Sequence, residues 1–211
     1  MSRVPLDPAG WPFIGLALVL ALVLGRVWSW PVATPALVLA AFFVFFFRDP
    51  ERQVVDRPDT IVSPADGRVM VAGPAVEQAA PPGEWQQISI FLSPMDVHVN
   101  RVPASGRITE VSYKPGRFLA AYQPEAASQN ERSEIWIDHG GQFIVARQIV
   151  GVLARRVVCR AKPGDEVRAG DRYGVMKFGS RMDVYLPLSA ELRIKPGDVV
   201  RGGESIIAVL H

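Results

Sequence analysis

Between Trp11 and Phe47 the chain carries a single charged residue, Arg26. Of its 23 basic and 21 acidic residues, only Arg3, Asp7 and Arg26 lie before residue 48. A stretch this poor in charge has no wet face to offer, which rules out an ordinary surface helix or strand and points to an apolar solvent. "WPFIGLALVLALVLGRVWSW" (11–30) and "PVATPALVLAAFFVFFF" (31–47) would measure roughly 30 and 25 Å as helices, against a hydrocarbon core of ~30 Å. Arg26 lies near one end, where its stem can snorkel, and Trp28 and Trp30 suit an interfacial belt. Pro31 suits the first turn of a second helix. Arg48, Arg52 and Arg57 follow, and the count of basic residues places that end in the cytoplasm.

Three arrangements of this segment stay open: two crossing helices, a hairpin dipping into one leaflet, and a cleaved signal peptide. The last is the weakest, because its basic start is one arginine and a second apolar run follows without a cleavage site. The expectation is an anchor over 1–47 made of two short apolar helices, holding 48–211 to the cytoplasmic side of the cell membrane.

Residues 48–211 suffice for one domain with a core. Cys159 has no second cysteine to pair with, which fits a reducing compartment, and its place between Val158 and Arg160 suits a small buried hydrophobe. "WQQISIFL" (85–92) alternates through Ile88, Ile90 and Leu92, and "EIWID" (134–138) through Ile135 and Ile137. Turn signals such as "PADG", "KPG" and "DHGG" punctuate these runs at short intervals. "PEAASQNERSE" (124–134) is a loop or a short helical turn. His139 in "DHGG" is a turn residue and His211 ends the sequence; three histidines and one cysteine form no metal-binding cluster.

"KPGDEVRAG" (162–170) and "KPGDVVRGG" (195–203) repeat one another. Pro-Gly-Asp makes a tight turn and the following valine starts a strand, so the pair predicts two related hairpins facing each other. The fold class expected is therefore mainly β, a barrel-sandwich with lipoyl/biotinyl-like hairpin repeats, behind an N-terminal α-helical membrane hairpin. Such carrier domains hold their modified lysine on a hairpin turn. Met176-Lys177-Phe178 resembles the tripeptide of biotinyl domains, so a carrier modified at Lys177 is one alternative function. A non-catalytic, membrane-tethered binding module is another.

"YGVMKFGSRMDVYLP" (173–187) looks like a hairpin with Gly179 and Ser180 at its middle. "SPADGRV" (63–69) holds Asp66 in a turn, and "IFLSPMDVHVNRVP" (90–103) holds His98 after an apolar strand. Singly, these are a turn former, a strand-end histidine and turn filler. In this order, with "FFRDPER" (46–52), "QNER" (129–132) and "GVLARRVVC" (151–159), they resemble the phosphatidylserine decarboxylase proenzymes, most closely the short membrane-bound form.

That resemblance implies a chemistry for Gly179-Ser180. Ser180 Oγ would attack the Gly179 carbonyl, an N-to-O shift would give an ester, and β-elimination would release the upstream chain. The residue left at 180 would become a pyruvoyl group, the cofactor, whose ketone draws electrons during loss of carbon dioxide. Glycine suits the cleavage site because nothing on its Cα obstructs attack. His98 would be the base, with Asp66 on its other ring nitrogen fixing the tautomer. Larger members carry a second histidine where this chain has Arg101, so His98 would serve both cleavage and decarboxylation. The implied partners are phosphatidylserine in the membrane and a heterodimer of the two cleaved chains. Self-association stays open, and no nucleic acid is expected.

Overall fold

The apolar quarter folds as a helical pair. In this computed structural model, which describes residues 6–76, 80–152, 157–177 and 179–211, the chain divides into Met1–Glu51 and Arg52–His211. In the first unit a 3-10 turn, Pro8–Gly10, is capped by Asp7, whose Oδ1 accepts the Ala9 N–H at 2.9 Å. It leads into α1 (Trp11–Val27), and α2 (Trp30–Phe46) returns after two residues, with proline in the first turn of each, where no amide hydrogen is needed. Small residues line the contact: Ala21, Ala33 and Ala36 are buried there. The outward positions remain apolar, with Leu16, Val19, Leu20, Val23 and Val38 all exposed. Pro8–Val27, at 20 residues, is long and apolar enough to cross a bilayer, and α2 is shorter.

The second unit is built of fourteen strands: β1 (Thr60–Val62), β2 (Gly67–Pro74), β3 (Gln86–Leu92), β4 (Val99–Arg101), β5 (Gly106–Lys114), β6 (Arg132–His139), β7 (Gln142–Ile149), β8 (Val157–Cys159), β9 (Glu166–Val167), β10 (Arg172–Met176), β11 (Ser180–Leu186), β12 (Glu191–Leu192), β13 (Val199–Val200) and β14 (Ile206–Val209). Eight form one antiparallel sheet in the order β13-β2-β3-β11-β7-β6-β5-β9, and two three-stranded sheets, β1-β14-β12 and β4-β10-β8, complete it. The architecture is the mainly β one that the alternating sequence predicts. "PEAASQNERSE" supplies a single turn, α3 (Ala126–Gln129), before β6.

Alternation decides the core. Ile88, Ile90 and Leu92 of β3, Ile135 and Ile137 of β6, and Met182, Val184 and Leu186 of β11 share one buried cluster. The intervening residues of β11 are buried too, and they are polar. Arg181 Nε donates to Asp183 Oδ1 at 2.6 Å and its Nη2 to Ser89 Oγ at 2.9 Å. Arg147 donates to the Tyr185 hydroxyl at 3.0 Å and to Glu134 at 2.6 Å. Burial, reinforced by the Asp183 carboxylate, pushes the Tyr185 phenol far above its usual range, so it stays a neutral donor. Asp183→Ala should strand the Arg181 guanidinium, which is 4% exposed. A loss of about 3–5 kcal/mol is expected in chemical denaturation; a loss near zero would mean the pair contributes nothing.

The two "KPGD" repeats occupy opposite edges of the large sheet. β13 pairs with the start of β2 (Gly67↔Val200), and β9 pairs with the start of β5 in the same way (Gly106↔Val167). The turns match bond for bond: Gly197 N–H donates to Val69 O at 2.8 Å and Gly164 N–H to Ile108 O at 2.7 Å. A second repeat accompanies them, "SPADGRV" (63–69) with "VPASGRI" (102–108). Asp66 Oδ1 accepts the Gly202 N–H at 2.8 Å, and Ser105 Oγ accepts the Ala169 N–H at 2.9 Å. The unit is thus two related halves wrapped around one core.

The segment 173–187 departs from expectation. β10 and β11 belong to different sheets and do not pair, so no hairpin forms there. The register of β10 is taken by β4 and β8, while β11 is committed to β3 and β7. The chain crosses between sheets at 177–179, and Phe178 lies outside the described residues.

Candidate active site

Strand pairing brings the sequence-predicted residues into one neighbourhood. Val99 of β4 lies opposite Val175 of β10, and the Met176 N–H donates to the His98 carbonyl at 3.1 Å. His98 is therefore beside the last residue of β10, just before the chain crosses to Ser180. Its side chain is 1% exposed.

A turn sets the ring. Asp96 Oδ2 accepts the Ser93 N–H at 2.8 Å, and the Asp96 N–H donates to Ser93 O at 3.0 Å, closing "SPMD" on itself. This presents the Asp96 carbonyl to His98 Nδ1 at 2.9 Å. A carbonyl only accepts, so the proton of the neutral ring lies on Nδ1 and the lone pair on the buried Nε2. His98 is thereby prepared to take a proton at Nε2.

Asp66 does not provide that orientation. Its Oδ2 is 2.7 Å from Arg52 Nη2 and its Oδ1 holds the Gly202 amide, so the carboxylate is engaged away from the His98 ring. The loop does touch β4 at its other end, where the Arg101 N–H donates to Pro64 O at 2.8 Å. His98 and Arg101 are three extended residues apart, roughly 10 Å. The expectation that Asp66 fixes the histidine tautomer is corrected: a main-chain carbonyl does so. Arg101, in place of a second histidine, donates to Gly170 O at 3.0 Å. Arg52, counted with the basic residues behind the anchor, has its side chain 8% exposed and bound to Asp66 and Glu204.

Ser180 opens β11 opposite Leu92 and is 0% exposed. Its Oγ has no hydrogen-bond partner among the described residues. Gly179, just before it, has φ +70°, the left-handed region that glycine enters without a Cβ penalty. The scissile-bond candidate thus joins a left-handed glycine to a buried hydroxyl that has no bond to break before it reacts.

Cys159 is half-buried against the core, and burial pushes its thiol upward, away from the nucleophilic thiolate. His139 ends β6 with its ring nitrogens 2.6 Å from the carbonyls of Ser105 and Pro58. Lys177 has no hairpin tip on which to be displayed, since β10 and β11 are unpaired.

A family model described as Phosphatidylserine decarboxylase matches residues 39–208, from inside α2 to inside β14. The chain belongs to the phosphatidylserine decarboxylase family. Among its relatives, the phosphatidylserine decarboxylase proenzyme of Nocardia farcinica is 43% identical over 218 residues, covering 99% of this chain and 89% of that one. The proenzyme of Geotalea uraniireducens is 42% identical with 99% and 98% covered, and that of Nitrosomonas europaea 40% identical with 96% and 94% covered. Family membership gives the buried Ser180 hydroxyl and the poised His98 ring a common purpose.

Three contributors were invisible in the sequence reading. The Asp96 carbonyl is a main-chain atom, although a Ser-Pro-x-Asp turn directly before His98 announces a fixed backbone there. Asn130 appears only as a letter of "QNER", and Gly151 only as a glycine after an apolar run.

Proposed function

We propose that this chain is a membrane-attached decarboxylase that matures by cutting its own Gly179-Ser180 bond and then converts phosphatidylserine to phosphatidylethanolamine. The observation that carries the reading is Ser180 Oγ, buried and without a hydrogen-bond partner among the described residues, directly after a left-handed glycine. The names of the relatives, decarboxylase and proenzyme together, support both halves.

In the cleavage step His98 Nε2 takes the Ser180 Oγ proton and Oγ bonds to the Gly179 carbonyl carbon. The C–N bond then breaks, the departing nitrogen takes a proton, and an ester joins the two residues. Removal of the Ser180 α-hydrogen expels Gly179 as a carboxylate. The dehydroalanine left at 180 takes up water and loses ammonia, which leaves a ketone. The residues fit such a pyruvoyl group: position 180 is a buried strand start with no polar bond to forfeit. Once present, the ketone supplies an electron sink for the loss of carbon dioxide from an amino-acid headgroup. His98, with Nδ1–H fixed on Asp96 O, holds the proton that the product carbon must receive. Asp66 enters as a positioning residue, bracing the Pro64–Arg101 end of β4 rather than the imidazole.

The helix Pro8–Val27 supports attachment at the cell membrane, with Arg52–His211 on the cytoplasmic side. Lifting a diacyl lipid out of a bilayer costs about 0.8 kcal/mol per exposed CH₂, so a tethered site that meets the headgroup at the surface avoids that cost. The cut would leave chains 1–179 and 180–211 as a heterodimer, because β11 lies between β3 and β7.

Intact mass and carbon dioxide release test this reading together. Protein purified with lipid should give two masses, the smaller being 180–211 less one ammonia relative to a serine-started peptide, and should release carbon dioxide from phosphatidylserine. A folded protein that stays whole, or that gains a biotin-sized mass on Lys177, would refute it.

A further inference from the structure

We infer that Gly151, held in place by Asn130, is the seat of the scissile Gly179 carbonyl and sets the geometry of self-cleavage; this rests on the cleavage reading above. The contact is steric. A Cβ placed on Gly151 would fall 3.0 Å from the Gly179 carbonyl carbon, closer still to its oxygen, and 3.4 Å from Ala121 Cβ. Gly151 has no left-handed φ, so its own backbone accepts an L residue. Glycine is demanded here by the carbonyl it faces.

Asn130 fixes the position of this seat. The residue is 0% exposed, and its Oδ1 accepts the Leu119 N–H at 2.9 Å. Its Nδ2 donates to Leu119 O and to Val150 O, both at 2.8 Å. The Val150 N–H is held by Glu131 O at 3.1 Å. One side-chain amide therefore joins the 119–121 loop to the residue preceding Gly151, and the two loops close around Gly179. This assigns a role to the centre of the "QNER" motif.

The consequence for reactivity follows from planarity. A peptide unit is flat, so fixing the direction of the Gly179 oxygen fixes the plane and the face of the carbonyl carbon that Ser180 Oγ meets. A methyl group at 151 must displace that oxygen by about 1 Å, and a misplacement of that size costs on the order of 10²-fold in rate. Gly151 and Asn130 act as positioning residues; neither transfers a proton.

The test follows newly synthesised full-length precursor into lipid vesicles and records cleavage against time from about pH 6 to 9, with thermal melting as the check on folding. Gly151→Ala should melt cooperatively, as Ser180→Ala does, yet cleave about 10²-fold more slowly by the same factor at every pH. Hydroxylamine, which cuts esters, should release no extra fragment from it, because the acyl shift itself is blocked. Should Gly151→Ala fail to melt cooperatively, Asn130→Ser decides, its short side chain being unable to span both loops: cleavage slowed about tenfold with an unchanged pH shape supports the assignment, and wild-type cleavage overturns it. A folded Gly151→Ala that matures at close to the wild-type rate, yields fragments with hydroxylamine, or changes the pH shape also overturns it. A wild-type chain that never cleaves would defeat the cleavage reading instead, and that result is seen without any variant.

Discussion

Ser180→Ala is expected to accumulate as one uncut chain, to release no carbon dioxide from phosphatidylserine, and to be at least as stable as the uncut wild-type precursor. Without Oγ there is no acyl shift, and without the shift no ketone forms at 180, so both losses are complete rather than partial. The stability expectation has a different origin. Ser180 is fully buried and its hydroxyl bonds to nothing among the described residues. A buried hydroxyl left unsatisfied costs about 1–3 kcal/mol, and removing it should recover part of that. Electrophoresis against time, headspace carbon dioxide and thermal melting give the three readouts. A marked fall in melting temperature would show that Oγ is bound in the fold and would remove the observation on which the proposed function stands.

His98→Ala should slow maturation by about 10² to 10⁴-fold, the usual range for losing a positioned general base. The sign of the pH effect is set by which ring form accepts a proton. Only neutral imidazole has a lone pair on Nε2, so wild-type cleavage should quicken as pH rises and the ring gives up its second proton, and the variant should lose that dependence. Asp66→Ala separates catalysis from architecture. It removes the carboxylate that holds Arg52 and the Gly202 amide, so its main effect should be a lower denaturation midpoint. Its precursor, where folded, should cleave faster than that of His98→Ala. If His98→Ala matures at the wild-type rate, some other group is the base.

What the sequence made legible was whatever repeats along one strand or one helix. Ile88, Ile90 and Leu92 alternate because one face of β3 is dry, and that periodicity survives in the letters. β11 defeated the same logic. Arg181 and Asp183 look like a solvent-facing row, which suggested a hairpin around 173–187, yet both are buried and neutralise one another across a strand with two dry faces. The duplication was only half visible: "KPGD" recurs in full, whereas "SPADGRV" and "VPASGRI" share Pro, Ala, Gly and Arg and differ at Asp66 against Ser105. That difference made Asp66 look chemically special, although both side chains accept an amide at matching places. Ser180 and His98 came from resemblance, and the structure supplied their surroundings. The Asp96 carbonyl and the Gly151 contact could not be read at all, since main-chain atoms have no letter and a glycine does not announce what it faces.

The place of β11 constrains the order of events in the life of the protein. All seven of its residues pair with β3, and five also pair with β7. While the chain is whole, this strand finds its slot by closing a loop, a cost that depends on chain length alone. After a cut at residue 179 the same slot must be filled by a separate peptide, so reassembly would depend on concentration, and in dilute solution the two pieces would rarely meet. The peptide bond that guided the strand would also be gone, its serine nitrogen lost as ammonia. Folding must therefore precede cutting, and the cut removes the way back: the mature protein keeps its shape by the height of its unfolding barrier, as a clasp whose spring has been discarded once it is shut.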